Sequence, residues 1–230
     1  MDQIHAQLLE KIKAYKMPQA AVDLLTKYPP LLVAGPTAAG KETIISHIEQ
    51  RGLGYKVITS TTRVPRPGEE NGKDYWFVSE PRMIELLDAQ AMIEVKSIHN
   101  IQVSGISLAA YQTVVDKNTR PILVIDVHGI EEIMTNVPNL KPIFILPPSF
   151  EDWMERLDKR GAMSHVERER RLDSAAQEMQ IAIKNDRFIL VVNNHADEAA
   201  EDVLEPVNDK SKQFQNRALA QRLIDHINRY

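Results

Sequence analysis

The 230-residue chain contains no cysteine. That excludes disulfides, thiolate nucleophiles and cysteine-ligated zinc, and it agrees with a reducing compartment. It has no apolar run near the ~20 residues that a bilayer-spanning helix requires, so no membrane partner is expected. It has no dominant charge: 28 Lys and Arg against 32 Asp and Glu leave a net −4, too little of either sign for a global field that would hold nucleic acid. None of the seven histidines stands at an H-E-x-x-H spacing. Asp2, His5, Glu10 and Lys11 in the first turns argue against a secretory signal, and a cytoplasmic location is expected. The hydrophobic content of 43% is ample for a core, and the length suits one large domain, alone or with appendages.

The most informative stretch is Gly35-Pro36-Thr37-Ala38-Ala39-Gly40-Lys41-Glu42-Thr43. It follows the apolar run Leu31–Ala34 and precedes the amphipathic run Ile44–Ile48. Strand, glycine loop and helix start in that order make a phosphate cradle. Loop N–H groups converge on the phosphates, the helix N-terminus adds partial positive charge, and the lysine reaches the terminal phosphates. A turn that merely joins strand to helix would explain the two glycines but not the lysine after the second. The position after Lys41, where the G-x-x-x-x-G-K pattern has a magnesium-holding hydroxyl, is Glu42.

Residues 3–27 show helical spacing divided at Pro18, and Pro29-Pro30 end the run. Strands are expected at 31–34, 57–60, 74–78, 92–97, 121–127, 142–146 and 188–192, the later ones non-alternating as in strands buried on both faces. Helices are expected after the glycine loop to about Gly52, at 81–90, at 107–118, and at 197–204. Ser149 with Asp152 and Ser164 with Glu167 are capping signatures for two more. Strands alternating with helices predict an α/β fold with a parallel core sheet. The segment from about 205 ends with Leu219, Leu223, Ile224 and Ile227 at helical spacing.

A second constellation is Thr59-Ser60-Thr61-Thr62-Arg63-Val64-Pro65-Arg66-Pro67-Gly68-Glu69. Two arginines among hydroxyls, in a loop stiffened by prolines, suit a phosphorylated second substrate, because the guanidinium fork matches phosphate oxygens. Solvated arginines on a surface loop are the plain alternative.

With these pieces in view, residues 31–204 resemble a guanylate kinase. GPTAAGK, STTRVPRPGEENGKDYWFVS, IDVHG, IFILPPS, ERERRL and VVNN occur in that family's order and at about its spacings. The resemblance implies a P-loop NTPase fold with a parallel core, a small β-rich acceptor-binding insertion at about 63–107 and a helical lid at about 150–186. It places the helical segments 1–30 and 205–230 outside the kinase-like domain. It implies transfer of the γ-phosphoryl of ATP to GMP or dGMP with Mg2+, and no covalent intermediate. On the ATP side it assigns Gly35, Thr37, Ala38, Ala39, Gly40, Lys41, Glu42, Thr43, Arg160 and Asn193. On the GMP side it assigns Arg63, Arg66 and Tyr75 to the phosphate, and Thr59, Glu94 and Asp126 to guanine, whose N1–H and amine suit carboxylate acceptors. Lys41, Arg63 and Arg171 carry the catalytic roles, Arg171 as the lid arginine. Arg168 and Arg170 read as solvated partners of Glu167 and Glu169.

Three departures from that family stand out. Glu42 replaces the loop hydroxyl, and with Thr43 it is the candidate magnesium contact. Val124 stands where an acid is usual two residues before Asp126, and Glu42 is expected to compensate for it. The segment Asn100–Ser107 lacks a phosphate-contacting tyrosine. These favour, as alternatives, a related kinase acting on an acceptor such as ribose 1,5-bisphosphate, or a non-catalytic guanylate-kinase-like binding module. A monomer or a homodimer is compatible with the sequence.

Overall fold

The computed structural model describes residues 3–98, 100–159, 163–206 and 209–229. In chain order the elements begin with α1 (Gln3–Ala14) and α2 (Gln19–Lys27), broken at Pro18 as the sequence predicts. β1 (Leu31–Ala34), α3 (Lys41–Gln50), β2 (Gly54–Lys56), β3 (Ser60–Thr61), β4 (Trp76–Phe77) and α4 (Glu80–Asp88) follow. Next come β5 (Met92–Ile98), β6 (Gln102–Ser107), α5 (Leu108–Val115), β7 (Arg120–Val124), α6 (Val127–Asn136) and β8 (Pro142–Leu146). The chain closes with α7 (Phe150–Asp158), α8 (His165–Lys184), β9 (Ile189–Val192), α9 (Ala196–Leu204) and α10 (Lys210–Ile227).

Local chemistry starts many of these helices. Ser79, Ser107, Ser149, Ser164 and Asp209 each accept a hydrogen bond from a backbone N–H in the first turn of α4, α5, α7, α8 and α10. Each such cap is worth about 1 kcal/mol. Among the described residues, no helix is long and apolar enough to cross a membrane.

The chain forms two compact units. One comprises Leu31–Tyr55, Ile122–Glu132 and Asn139–Tyr230. It is organised on a five-stranded sheet of order β2-β7-β1-β8-β9, with parallel ladders β7–β1, β1–β8 and β8–β9. Every residue of β1 and β8 is buried, as expected of strands covered on both faces. Its core joins Leu31, Val33, Ile143, Ile145, Ile189 and Val191 of the strands to Ile44, Ile45 and Ile48 of α3 and Ala199, Ala200 and Val203 of α9. Helix α10 lies along β9, the edge strand. Gln213 accepts the Leu190 N–H (2.8 Å) and donates to the Leu190 carbonyl (3.1 Å), and Asn216 donates to the same carbonyl (2.7 Å). Side-chain amides thus stand in for the missing neighbouring strand. Arg217 donates to the carbonyls of Ala182 and Ile183 at the end of α8 and of Phe188.

The other unit comprises Met1–Pro30, Lys56–Pro121 and Ile133–Pro138. Its four-stranded sheet has the order β4-β3-β6-β5. The β3–β6 and β5–β6 ladders are antiparallel, but β3–β4 is parallel. The sheet is therefore mixed rather than purely antiparallel. Leu8 of α1, Met83 and Leu87 of α4, Met92 and Val95 of β5 and Val103 of β6 share one core, with Ile12 and Tyr15 packed against it. The N-terminal helical segment is thus built into this unit.

Three expectations change. The run 57–60 is not one strand: β2 ends at Lys56 and β3 starts at Ser60, and the residues between carry the chain from one sheet to the other. The strand expected at 74–78 is reduced to β4, Trp76–Phe77, while Gln102–Ser107, for which no element is expected, is a strand paired on both sides. The run 121–127 ends as strand at Val124, and α6 begins at Val127, capped by Asp126 Oδ1, which accepts the Gly129 N–H (2.9 Å).

Candidate active site

The glycine loop is a local construction. Gly35 and Gly40 both have positive φ, +146° and +96°, and neither has room for a side chain. A Cβ on Gly35 would meet the Ile145 carbonyl oxygen at 2.4 Å, and one on Gly40 would meet Asn193 Nδ2 at 2.0 Å. Ala38 also has positive φ, +66°, a conformation that costs a non-glycine residue ~1–2 kcal/mol. This strained curl leaves the N-terminus of α3 without a side-chain cap. A helix start that no side chain caps directs its partial positive charge toward the loop, which suits an anion.

The surroundings hold the loop in place. Trp153 of α7 is buried and donates its Nε1–H to the Thr37 carbonyl (2.8 Å). Asn193, just after β9, donates to the Ala39 carbonyl (2.8 Å) and is itself buried. Lys41 Nζ donates to the carbonyls of Gly35 (2.5 Å) and Pro36 (2.9 Å), which keeps the ammonium over the loop. Glu42 and Thr43 are exposed in the first turn of α3. An acid there is favoured by the helix dipole.

Arg156 of α7 belongs to this constellation and escapes sequence reasoning. It donates to the Asn193 carbonyl (3.2 Å), and its Nη1 lies 3.7 Å from where a Cβ on Gly40 would stand. The available signal is its i, i+4 relation to Arg160 on a predicted helix. Arg160 itself lies outside the described residues. In α8, Arg171 Nε donates to Glu167 Oε1 (2.8 Å), and Arg170 pairs with the same carboxylate (2.5 Å). Those hydrogen bonds, first that of Arg171, hold the Glu167 carboxyl below its usual range. Arg168 pairs with Asp158. Asp126, in this same unit, is half-buried and serves as the α6 cap.

The second unit contains Thr59, Arg63, Arg66, Tyr75 and Glu94, and of these Glu94 lies in a strand of its sheet. Glu94 pairs across with Ile106, Lys96 with Ser104, and Ser104 with Thr61. Cross-strand partners share a face and residues two apart in a strand repeat it, so Glu94, Lys96, Ser104, Ile106 and Thr61 line one face. Val95 and Val103 lie on the opposite face, within the core shared with α1 and α4. Glu94 is 3% exposed, rare for a carboxylate. Thr59 accepts the Trp76 N–H on its carbonyl (2.9 Å) at the head of β3, which ties the loop's start to β4.

Arg63 is held by a two-pronged pair with Glu69, Nη1 to Oε2 and Nη2 to Oε1, both 2.6 Å. Its guanidinium also lies 4.8 Å from the centre of the Tyr75 ring and 5.5 Å from that of Phe77. Arg66 gives its backbone N–H to Glu69 Oε2 (2.8 Å), and its side chain is exposed. The Arg63 hydrogen bonds, then that of the Arg66 amide, bring the Glu69 carboxyl down to about 2. Glu69 is thus the residue that orients Arg63, and its sequence signal was an acid closing the arginine loop.

The guanylate kinase family model matches residues 27–210. A guanylate kinase from Corynebacterium glutamicum is 35% identical over 180 residues, covering 76% of this chain and 93% of that protein. One from Leifsonia xyli subsp. xyli is 32% identical over 176 residues, covering 76% and 68%. The crystal structure of guanylate kinase from Anaplasma phagocytophilum is similar with a TM-score of 0.57 at 25% identity, covering 81% of this chain and 87% of that one.

Proposed function

The chain belongs to the guanylate kinase family, and on that premise we propose that it transfers the γ-phosphoryl of ATP to GMP. The observation that carries this reading is the loop Gly35–Thr43. It has a strained curl, an uncapped helix start and Lys41 over its carbonyls, within a chain whose relatives are guanylate kinases. Phosphoryl transfer requires positioning and charge neutralisation more than covalent chemistry. Lys41 neutralises charge on the β- and γ-phosphates, with the loop N–H groups supporting it. Asn193 and Arg156 hold the rim of that site, and Arg171 and Arg160 add positive charge from the lid segment.

On the acceptor side, Arg63 and Arg66 with the Tyr75 hydroxyl hold the GMP phosphate. Glu69 and the Val64 carbonyl hold the Arg63 guanidinium in one orientation against Tyr75. Thr59, Glu94 and Asp126 read guanine. A carboxylate accepts from N1–H and the exocyclic amine, a pair that adenine lacks.

Magnesium accompanies the ATP. Among the described residues no three acids or histidines gather into a metal cage. The donor set fits an ion carried mostly by phosphate oxygens and water, with Glu42 and Thr43 as its protein contacts. When bound, the ion neutralises developing charge on the transferring group. These substrates set the reaction in the cytoplasm. The sugar-bisphosphate alternative has less support, since the named relatives are guanylate kinases.

The test is chromatography of the products that the purified chain makes from ATP, magnesium and GMP. GDP with GMP and dGMP, and no product from AMP or ribose 1,5-bisphosphate, is the expected outcome. ATP consumed only with a non-guanine acceptor, or with none, overturns the reading.

A further inference from the structure

Strand β5 carries an irregularity beside Glu94. Met92 pairs with Ser107, yet Glu94 pairs with Ile106. Two steps on β5 thus match one step on β6, and Ile93 is the extra residue of a β-bulge. The bulge has a purpose in the packing. In a regular strand, Met92 and Glu94 would share a face. Here Met92 joins Val95 in the core against α1 and α4, while Glu94 takes the face of Ile106 and Ser104. Gly105 makes room for this, since a Cβ there would meet the Glu94 carbonyl oxygen at 2.5 Å and Met92 Cε at 2.7 Å.

β5 is the edge of its sheet, so the backbone groups of Met92, the residue before the bulge, have no neighbouring strand to pair with. The partner here comes from 77 residues away. The Tyr15 hydroxyl donates to the Met92 carbonyl (2.8 Å) and accepts the Met92 N–H (3.0 Å). One hydroxyl, with a donor and two lone pairs, satisfies both groups of one residue. The Tyr15 ring is seated against the same core, at the end of α1, and its phenol is pushed above its ordinary value by burial. The far end of the β5–β6 hairpin is held by the same helix: His5 Nε2 contacts the Asn100 carbonyl (2.9 Å), and His5 Nδ1 contacts Glu80 (2.5 Å). Asn100 sits at positive φ in that turn. The N-terminal helix thus grips the hairpin at both ends.

We propose that Tyr15 is a positioning residue for acceptor choice: it fixes the bulge at Met92 and thereby the aim of the Glu94 carboxylate at guanine. Residue 15 lies outside the 27–210 stretch matched by the family model. The inference rests on the reading of Glu94 as the guanine acceptor.

Tyr15→Phe keeps the packed ring and removes only the hydroxyl. The informative substrates are GMP and IMP, which differ by the exocyclic amine. The variant is expected to lower the GMP-to-IMP ratio of kcat/KM by about three- to tenfold, the worth of one ordinary hydrogen bond. The loss should fall on the KM for GMP, while the KM for ATP and kcat at saturation stay within about twofold, a spread below ~0.4 kcal/mol. A merely structural role would lower the melting temperature and leave the ratio unchanged, and that result overturns the proposal. Lys11→Ala, which removes only the surface pair with Asp88, is the control. An equal shift of the ratio in that variant would assign the effect to α1 in general and also overturn it. Turnover of GMP by the unmodified chain tests the kinase reading separately. Calorimetric binding of GMP and IMP to both chains gives the same ratio without any turnover.

Discussion

Two of the four edge strands, β5 and β9, are closed by the same device with different consequences. On β9, Gln213 takes both backbone groups of Leu190, three residues before Asn193. On β5, Tyr15 takes both backbone groups of Met92, two residues before Glu94. Strand β9 is regular, paired with β8 over four consecutive residues, and Asn193 is fixed by its own bonds to Ala39 and Leu146. Its edge closure therefore contributes stability. Strand β5 is irregular just after the closed residue, and the register alone does not aim Glu94. Its edge closure therefore contributes direction. The same division separates the two units. In the phosphate-loop unit the chemistry sits on a loop that makes its own geometry. In the other unit Glu94 sits on the strand whose register is interrupted.

The largest effect should come from the phosphate loop. Lys41→Ala is expected to lower kcat by ~10²–10³-fold on every acceptor while the KM for GMP holds, measured by steady-state rates. A comparable rise in the KM for GMP would erase the division between the units.

Arg63→Lys comes next. It replaces a two-pronged fork with a point charge. The KM for GMP should rise about tenfold, ~1.4 kcal/mol of binding, with the KM for ATP unchanged. The same variant sharpens the role of Glu69. Its folded carboxyl stands at about 2 against an ordinary 4.5, so the stability it contributes is complete above about 4.5 and is lost as pH falls through about 2. In Arg63→Lys that titration, followed by NMR, should move back up toward 4.5.

Glu42→Ser should raise the magnesium concentration for half-maximal rate severalfold, if the exposed carboxylate on α3 compensates for Val124. Unchanged magnesium dependence would sink that role. The smallest effect on activity should come from Gln213→Ala. It orphans the buried Leu190 N–H at a cost of ~1–3 kcal/mol and should lower the melting temperature by several degrees without moving either KM. A shift in the KM for GMP there would abolish the contrast between the two edges.

What the sequence reveals follows the reach of the interactions. The phosphate loop is legible because its parts are consecutive. The helices α7 and α8 are legible because their caps are. Helix α6 is hidden by its own start: Asp126 caps it directly off the strand's end, and Gly129 sits in its first turn where helix propensity is poor. Strands β3 and β4, of two residues each, are too short to show alternation. Arg63, Arg66 and Glu94 stand out as residue types in a resembling pattern, but not their partners. Nothing in the periodicity of residues 3–27 announces that Tyr15 closes a strand 77 residues away. Arg156 is likewise invisible until β9 brings Asn193 beside the loop.

The most direct measurement is the full steady-state matrix of Glu94→Gln with ATP varied against GMP, IMP and AMP. If Glu94 reads guanine, the KM for GMP rises by about 10- to 100-fold, ~1–3 kcal/mol for a charged acceptor lost. The KM for ATP should hold, and the preference for GMP over IMP should collapse. A variant that keeps its preference for GMP, or loses it together with ATP affinity, would contradict the assignment of acceptor choice to this strand.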